Sequence, residues 1–322
     1  MKAIQVKRTG GPEVLELVDL PVPEPGPGEI LVRQEAVGLN YIDTYHRSGL
    51  YKVELPFVIG GEGAGVVEKV GEGVTRFNVG DRAAYAGGFG AYAEYRAVPE
   101  GRAVMLPASI ASEVAAAAML KGMTAEYLVR RTFPVQPGQT ALVYAAAGGV
   151  GSILVQWASA LGATVIGVVG GAGKAAIARE LGADHVIDHH AEDIAARVRE
   201  ITGGEGAHVA YDGVGKATFQ ASLKSLRRRG ILVSYGNASG ATGPIDPLEL
   251  SRGGSLYLTR PTLFDYIATT EELDDSAAAL FEVIASGQVK IAVNQRFPLA
   301  GAAEAHRALE ASETTGSTLL IP

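Results

Sequence analysis

Cysteine is absent from the 322-residue chain, which excludes disulfides and any metal centre built on thiolates. A surplus of positive charge is missing too. The 28 Lys and Arg stand against 35 Asp and Glu, and the net charge of −7 gives no general attraction for polyphosphates. The opening MKAIQVKRTGGPEVLEL has no continuous apolar core of the secretory kind. A reducing, cytoplasmic setting is the expectation. Residues 132–173 contain no Asp, Glu, Lys or Arg, a length that would suit a membrane span. Pro134, Pro137, Gly138, Gly148, Gly149, Gly151, Gly162 and Gly167 instead divide the run into strand, helix and strand. An uncharged, buried α/β unit is expected there, and no membrane partner.

The chain is 47% hydrophobic with 42 glycines, and its length suits two domains. The first 120 residues carry short β-branched or alternating segments at 2–6, 30–36, 63–70 and 82–86. GGP, PVPEPGPGE and VGEGVTRFNVGD separate them, a pattern that predicts a partly open barrel. Residues 40–49 read as either a short helix or a loop. A helical passage starts near Ser112 and includes AAAAML and TAEYLVRR. Strand and helix patterns then alternate: ALVYAA, a helix carrying Val150, Ile153, Leu154, Trp157 and Leu161, TVIGVV, a helix at 175–181, HVI, a helix at 192–201, HVAYD, a helix at 218–226 and ILVSYG. This alternation predicts an α/β domain, a doubly wound parallel sheet covered on both faces. A last strand is expected at 255–259, and helices near 273–285 and 301–311 return the chain to the first domain.

The turn AAAGGVG at 145–151 lies between a strand pattern and an amphipathic helix. Gly148 there allows close approach to a pyrophosphate, Gly151 allows close helix-to-sheet packing, and the helix N-terminus faces negative oxygens. The competing reading is an apolar packing turn without a ligand. The second strand ends in VVGGAGK without the acid that would hold both ribose hydroxyls of NAD. Gly170 leaves room there and Lys174 can approach a phosphate, which points to NADPH, although Lys174 can also be a solvated helix residue.

Taken together, GGPEVL at 10–15, GLNYIDTYHRSGLY at 38–51, LKGMTAEYL at 120–128, AAAGGVG, YDGVG at 211–215, YGNASG at 235–240, GSLYLTRP at 254–261 and GSTLLIP at 316–322 resemble the zinc-free, zeta-crystallin-like quinone oxidoreductases of the medium-chain reductase superfamily. The resemblance spans nearly the whole chain. It implies a GroES-like, mainly β catalytic domain over residues 1–123, a Rossmann domain over 124–265, and a return at 266–322 that completes the first. It also implies NADPH-dependent reduction of a quinone in a cleft between the domains, and commonly a dimer. Cofactor contacts carried over by the resemblance, with those of the glycine turn, fall on Asn40, Thr124, Gly148, Gly149, Val150, Gly151, Gly170, Lys174, His189, Gly213, Tyr235, Gly236 and Arg260. Two departures stand out: His189 replaces a tyrosine near the adenosine phosphate, and a nonbasic residue, Ser312 or a neighbour, replaces an arginine.

Zinc-containing relatives use a cysteine near the GLN position and a GHE sequence. This chain has Asn40 and GGE at 60–62, so no metal is expected. A quinone is already electrophilic, so orientation and polar stabilisation suffice for hydride transfer. Asn40, Asp43 and Tyr45 are placed at the reacting end. Asn40 positions nicotinamide or substrate oxygen, Tyr45 orients the quinone or only lines the site, and Asp43, at its reference pKa, is a poor proton donor that orients neighbours. Arg260 meets charge or anchors structure, and His46 reads as a surface or hydrogen-bonding residue. Alternatives are reduction of an enone or alkenal double bond and, in another class, RNA binding. The latter is disfavoured by the net charge, and the arginine run ending at Gly230 reads as a solvated helix end. The alternation SLYLT at 255–259 predicts a homodimer by sheet extension.

Overall fold

In the computed structural model, which describes residues 1–322, the alternating segments near the start of the chain become strands β1 (Lys2–Val6), β2 (Leu15–Asp19), β3 (Glu29–Leu39), β4 (Phe57–Val58), β5 (Glu62–Val70), β6 (Arg82–Ala86), β7 (Tyr95–Pro99) and β8 (Ala103–Met105). Between β3 and β4 the chain forms helix α1 (Tyr41–Ser48), so residues 40–49 are a helix rather than a loop. Gly49 ends it at φ 83, a left-handed cap that a residue with a Cβ adopts only with strain. Helix α2 (Ser112–Tyr127) follows and widens into a π turn at Leu128–Thr132. Its alanines 115–118 are fully buried, as expected of a helix packed on all sides.

From there strand and helix alternate: β9 (Thr140–Tyr144), α3 (Gly149–Ala160), β10 (Thr164–Val169), α4 (Ala172–Glu180), β11 (His185–Asp188), α5 (Ile194–Ile201), β12 (Ala207–Asp212), α6 (Phe219–Ser225), β13 (Leu226–Ser234), α7 (Pro247–Arg252), β14 (Tyr257–Thr259) and α8 (Leu263–Tyr266). The chain closes with α9 (Thr270–Ala285), β15 (Val293–Pro298), α10 (Ala302–Glu310) and β16 (Ser317–Ile321).

Two units result. One holds residues 1–123, 267–285 and 291–322, and the other holds 124–266 and 286–290. In the first, β3 is the hub of a seven-stranded sheet, pairing antiparallel with β5, β7 and the returning β16. Ile4, Val32, Leu39, Val67, Tyr85 and Tyr92 form its core with Leu320. In the second, every strand pair is parallel and the order is β11-β10-β9-β12-β13-β14. This is the doubly wound order, whose switch point lies between β9 and β12. Leu142, Ile166, Val168, Ile187 and Leu232 fill its core. Arg227, Arg228 and Arg229 correct an expectation: they belong to β13, not to a helix end, because Leu226 turns into the sheet and Arg229 adopts φ 60. No helix is long and apolar enough to cross a membrane.

Candidate functional site

In the second unit, ligands of a doubly wound sheet bind outside the carboxyl ends of the strands at the switch point. Two segments of this chain meet that position. After β9, Ala145 takes φ 49, Gly148 N donates to Ala145 O at 2.8 Å, and Gly148 caps α3 without any side-chain hydrogen bond. The first-turn amides of α3 therefore remain for an anionic guest. A Cβ on Gly151 would stand 2.1 Å from Ala145 O, so the close helix-to-strand approach requires glycine. Gly148, Gly149 and Val150 are each half-buried at this turn.

After β12, Asp212 is buried, and its carboxylate accepts Val214 N, Gly215 N, Thr218 Oγ1 and Ser222 Oγ at 2.8–3.0 Å. This satisfied carboxylate braces the loop. A Cβ on Gly213 would lie 2.8 Å from the Tyr235 ring, and one on Gly236 would lie 2.3 Å from Gly213 O. The two loops thus pack backbone to backbone. Such cradles fit the pyrophosphate and flat rings of a dinucleotide.

At the end of β10, Gly170 faces His189 and His190, and Gly171 N donates to Asp188 Oδ1 (3.1 Å). Lys174 is half-buried in the first turn of α4, and its charge reaches His189. Burial, His190 and Lys174 together hold the His189 imidazole below its ordinary range, so it is neutral at pH 7 and offers a hydrogen bond rather than charge. Thr124 is buried on α2. Arg260 is exposed, donates to Pro261 O at 3.1 Å and acts on the buried Tyr127 hydroxyl. Tyr127 in turn stacks on Tyr266 at 4.3 Å.

In the first unit, Asn40 begins α1 and is buried. Its Nδ2 donates to Glu62 Oε2 at 2.7 Å and lies 3.5 Å from Gly38 O. Glu62 is wholly buried and also accepts Leu120 N at 2.7 Å and Lys121 Nζ at 2.9 Å. An ammonium and two N–H groups converge on one carboxylate, and that acceptor fixes the Asn40 amide with nitrogen toward Glu62. Gly38 makes this possible, since a Cβ there would sit 2.1 Å from Glu62 Oε2.

Asn40 is gripped from the other side by Asp43, whose Oδ2 accepts Asn40 N and Tyr92 Oη, both at 2.9 Å. Behind Tyr92 stands His306, Nε2 at 3.1 Å, with Arg47 Nη1 3.0 Å from its Nδ1. A guanidinium only donates, so Nδ1 accepts, Nε2 carries the proton, and the relay runs from Arg47 to Asp43. Arg47 ends on Glu310 at 2.6 and 3.0 Å. Burial, and then Arg47, depress His306 to about 3. Burial raises Asp43 to about 7 against the hydrogen bonds of Asn40 and Tyr92. Asp43 therefore corrects the expectation of an ordinary carboxylate at its reference pKa.

Tyr45 is buried and packs edge-on against Tyr51 (5.3 Å) and near Tyr41 (6.4 Å). His46 is part-buried between Tyr51 and Phe89. Ser312 lies beside Tyr41 in this unit. Of the reacting-end residues, the structure joins Asn40 and Asp43 directly. Glu62, Lys121, Tyr92, Arg47 and His306 went unassigned in the sequence. Only GGE and LKG signal the first two, and the rest lie too far apart in the chain to form a motif.

The donor set does not fit a zinc ion. The chain has no cysteine, no three His, Asp or Glu side chains gather as a ligand set, and Glu62 is committed to Lys121 and two N–H groups.

Comparison with known proteins gives three findings. The family described as zinc-binding dehydrogenase matches residues 149–282, and alcohol dehydrogenase GroES-like domain matches 26–108. A quinone oxidoreductase of Pseudomonas aeruginosa is 52% identical over 100% of this chain and 99% of its own, and a 2-haloacrylate reductase of a Burkholderia species is 44% identical over 99% and 98%. The crystal structure of Escherichia coli quinone oxidoreductase complexed with NADPH superposes with a TM-score of 0.98 at 48% identity, covering 100% of both chains.

Proposed function

The chain belongs to the zinc-independent quinone oxidoreductase family of medium-chain reductases, and on that premise we propose which of its side chains carry the reduction. It is an NADPH-dependent quinone oxidoreductase. The observation that carries the cofactor assignment is the 145–151 turn at the sheet's switch point, where Gly151 admits no Cβ and the helix end has no side-chain cap.

NADPH, when bound, supplies the hydride. In the second unit the first-turn amides of α3, including Gly149, Val150 and Gly151, hold the pyrophosphate, with Gly148 leaving it room. Gly213, Tyr235 and Gly236 frame the bound rings, with Thr124 and Arg260 as further polar contacts. Lys174 and His189 take the ribose phosphate beside Gly170. In the first unit Asn40 has one N–H committed to Glu62, while the other, only weakly held by Gly38 O, can turn to a quinone oxygen. Tyr45, with Tyr41 and Tyr51, offers an aromatic wall for a planar ring. Reduction of a quinone to its hydroquinone takes up one hydride and one proton beyond it. Asp43 stores such a proton next to Asn40. Its Oδ2 already accepts two hydrogen bonds, which leaves Oδ1 to carry it.

Anaerobic stopped-flow mixing tests this reading. One NADPH should be oxidised per soluble benzoquinone reduced, and undiminished NADPH absorbance with every quinone tried would reject it. A second reading, reduction of an activated carbon–carbon double bond, is favoured by the 44% identity to a 2-haloacrylate reductase. Including 2-chloroacrylate in the same experiment, with product identification, separates the two.

A homodimer by sheet extension is supported by β14, which pairs only with β13 and leaves Tyr257 61% exposed. Light scattering at micromolar concentration should give twice the chain mass, and a monomer would refute it.

A further inference from the structure

The end of β10 carries two histidines whose placement goes beyond a single hydrogen bond. A Cβ on Gly170 would stand 3.0 Å from His189 Nε2, 3.0 Å from His190 Cε1 and 3.2 Å from His190 Nε2. Both imidazoles therefore converge on the space that a residue-170 side chain would occupy. In a dinucleotide-binding sheet this is the region of the adenosine ribose. The rings meet edge to face at 4.3 Å and 74°.

The charged groups facing the pair come from three places. Lys174 projects from the first turn of α4, and its charge reaches His189. Asp188, ending β11, lies 4.0 Å from His190 Nδ1, but its Oδ1 is taken up by Gly171 N (3.1 Å) and His190 N (3.0 Å). Glu192, ahead of α5, accepts Asp188 N (3.0 Å) and pairs with Arg197 (3.4 Å). Asp188 serves the backbone through Oδ1 and still acts on His189, so the Gly170 surface is bordered by two imidazoles, one ammonium and one carboxylate. His190 is largely open to solvent, with its side chain 68% exposed.

We propose that His189, His190 and Lys174 form a proton-coupled receptor for the 2′-phosphate of NADPH, in which both imidazoles border the dianion over Gly170 and His189 takes up a proton as it docks, so that discrimination against NADH rises as pH falls through neutrality. The inference rests on the NADPH reading above. Without the dianion, burial, then His190 and lastly Lys174 oppose protonation of His189, against the pull of Asp188. A phosphate dianion reverses that balance, since opposite charge within a few ångströms favours the charged imidazole. Lys174 and His190 flank the docked phosphate, and His189 adds the pH-dependent part.

Calorimetry on the full-length protein tests this with 2′,5′-ADP against 5′-AMP and NADPH against NADH, each in two buffers of different ionisation enthalpy. At pH 7.5, where the phosphate is already dianionic, binding of NADPH or 2′,5′-ADP should take up about half to one proton, and NADH or 5′-AMP almost none. The NADPH-to-NADH affinity ratio should rise about three- to tenfold from pH 8.0 to 6.5. The double variant His189→Gln/His190→Gln keeps hydrogen-bonding groups and Lys174. It should still prefer NADPH, lose the proton uptake and flatten the ratio. NADPH binding with no more uptake than NADH, or uptake that persists in the double variant, overturns the proposal while leaving the cofactor reading intact. Failure of NADPH to bind at any pH overturns both.

Discussion

Two buried groups of the first unit titrate in opposite senses, and separating them gives a stringent check on the relay behind Asn40. Burial raises Asp43 from 3.8 to about 7. Between those values the folded protein holds a proton that the unfolded chain has lost, so this contribution stabilises at low pH and fades as pH rises through 7. Burial and Arg47 lower His306 from 6.5 to about 3. Between those values the unfolded chain binds a proton that the folded protein refuses, so stability falls as pH falls below 6.5. Each acts at about 1.4 kcal/mol per pH unit where fully developed. Across their overlap, from pH 4 to 6.5, the two slopes cancel. Asp43→Asn should therefore unmask the histidine, losing roughly 3 kcal/mol relative to the parent on acidification from pH 6.5 to 4. His306→Gln should do the reverse and lose stability relative to the parent as pH rises. Urea unfolding at pH 4.5, 5.5 and 6.5, with hydrogen exchange in β3 and β5 reporting on this unit, measures both. Constant offsets from lost packing do not matter, because the slope is the readout. Variants whose stabilities run parallel to the parent with pH would refute the assigned protonation states.

Glu62→Gln leaves the Lys121 ammonium buried without its counter-charge, and should destabilise the unit by about 3–5 kcal/mol. Glu62→Gln/Lys121→Met should recover most of that in a thermal melt, and equal losses in the single and double variants would show that the pair is not coupled. Gly151→Ala would place a methyl 2.1 Å from Ala145 O. We expect at least about tenfold weaker NADPH binding by fluorescence titration, together with about 1–3 kcal/mol of overpacking. Unchanged affinity would remove the turn from the cofactor site. Oxidation of NADPH by a benzoquinone and proton uptake on binding at the histidine pair complete the set, each checked as described above.

How much of this was readable in advance follows from the range of the interactions. The doubly wound unit is written in local periodicity: strand and helix patterns alternate from residue 140 to 259, and each side chain's neighbours in its own element decide its face. The turn at 145–151 is legible for the same reason, since a strand, glycines and an apolar helix adjoin in the chain. The helix at 41–48 was ambiguous because eight residues give barely two turns of pattern. Asp43 capping Asn40 and Gly49 closing the end settle it. The arginines before Gly230 were misplaced because charge run and strand start look alike until the parallel register with β12 is known.

The sequence alone determined the α/β alternation, the dinucleotide turn, the missing thiolates and the absence of an acid after β10, because each is a matter of residue type at short spacing. Only the tertiary structure decided that Asn40 is held by Glu62 and Glu62 by Lys121, across separations of 22 and 59, and that Asp43 leans on Tyr92 and Tyr92 on His306, across 49 and 214. It also decided that burial lifts the Asp43 carboxyl far above its reference pKa. Desolvation depends on everything packed around a carboxyl group, and no pattern of neighbours along the chain encodes it.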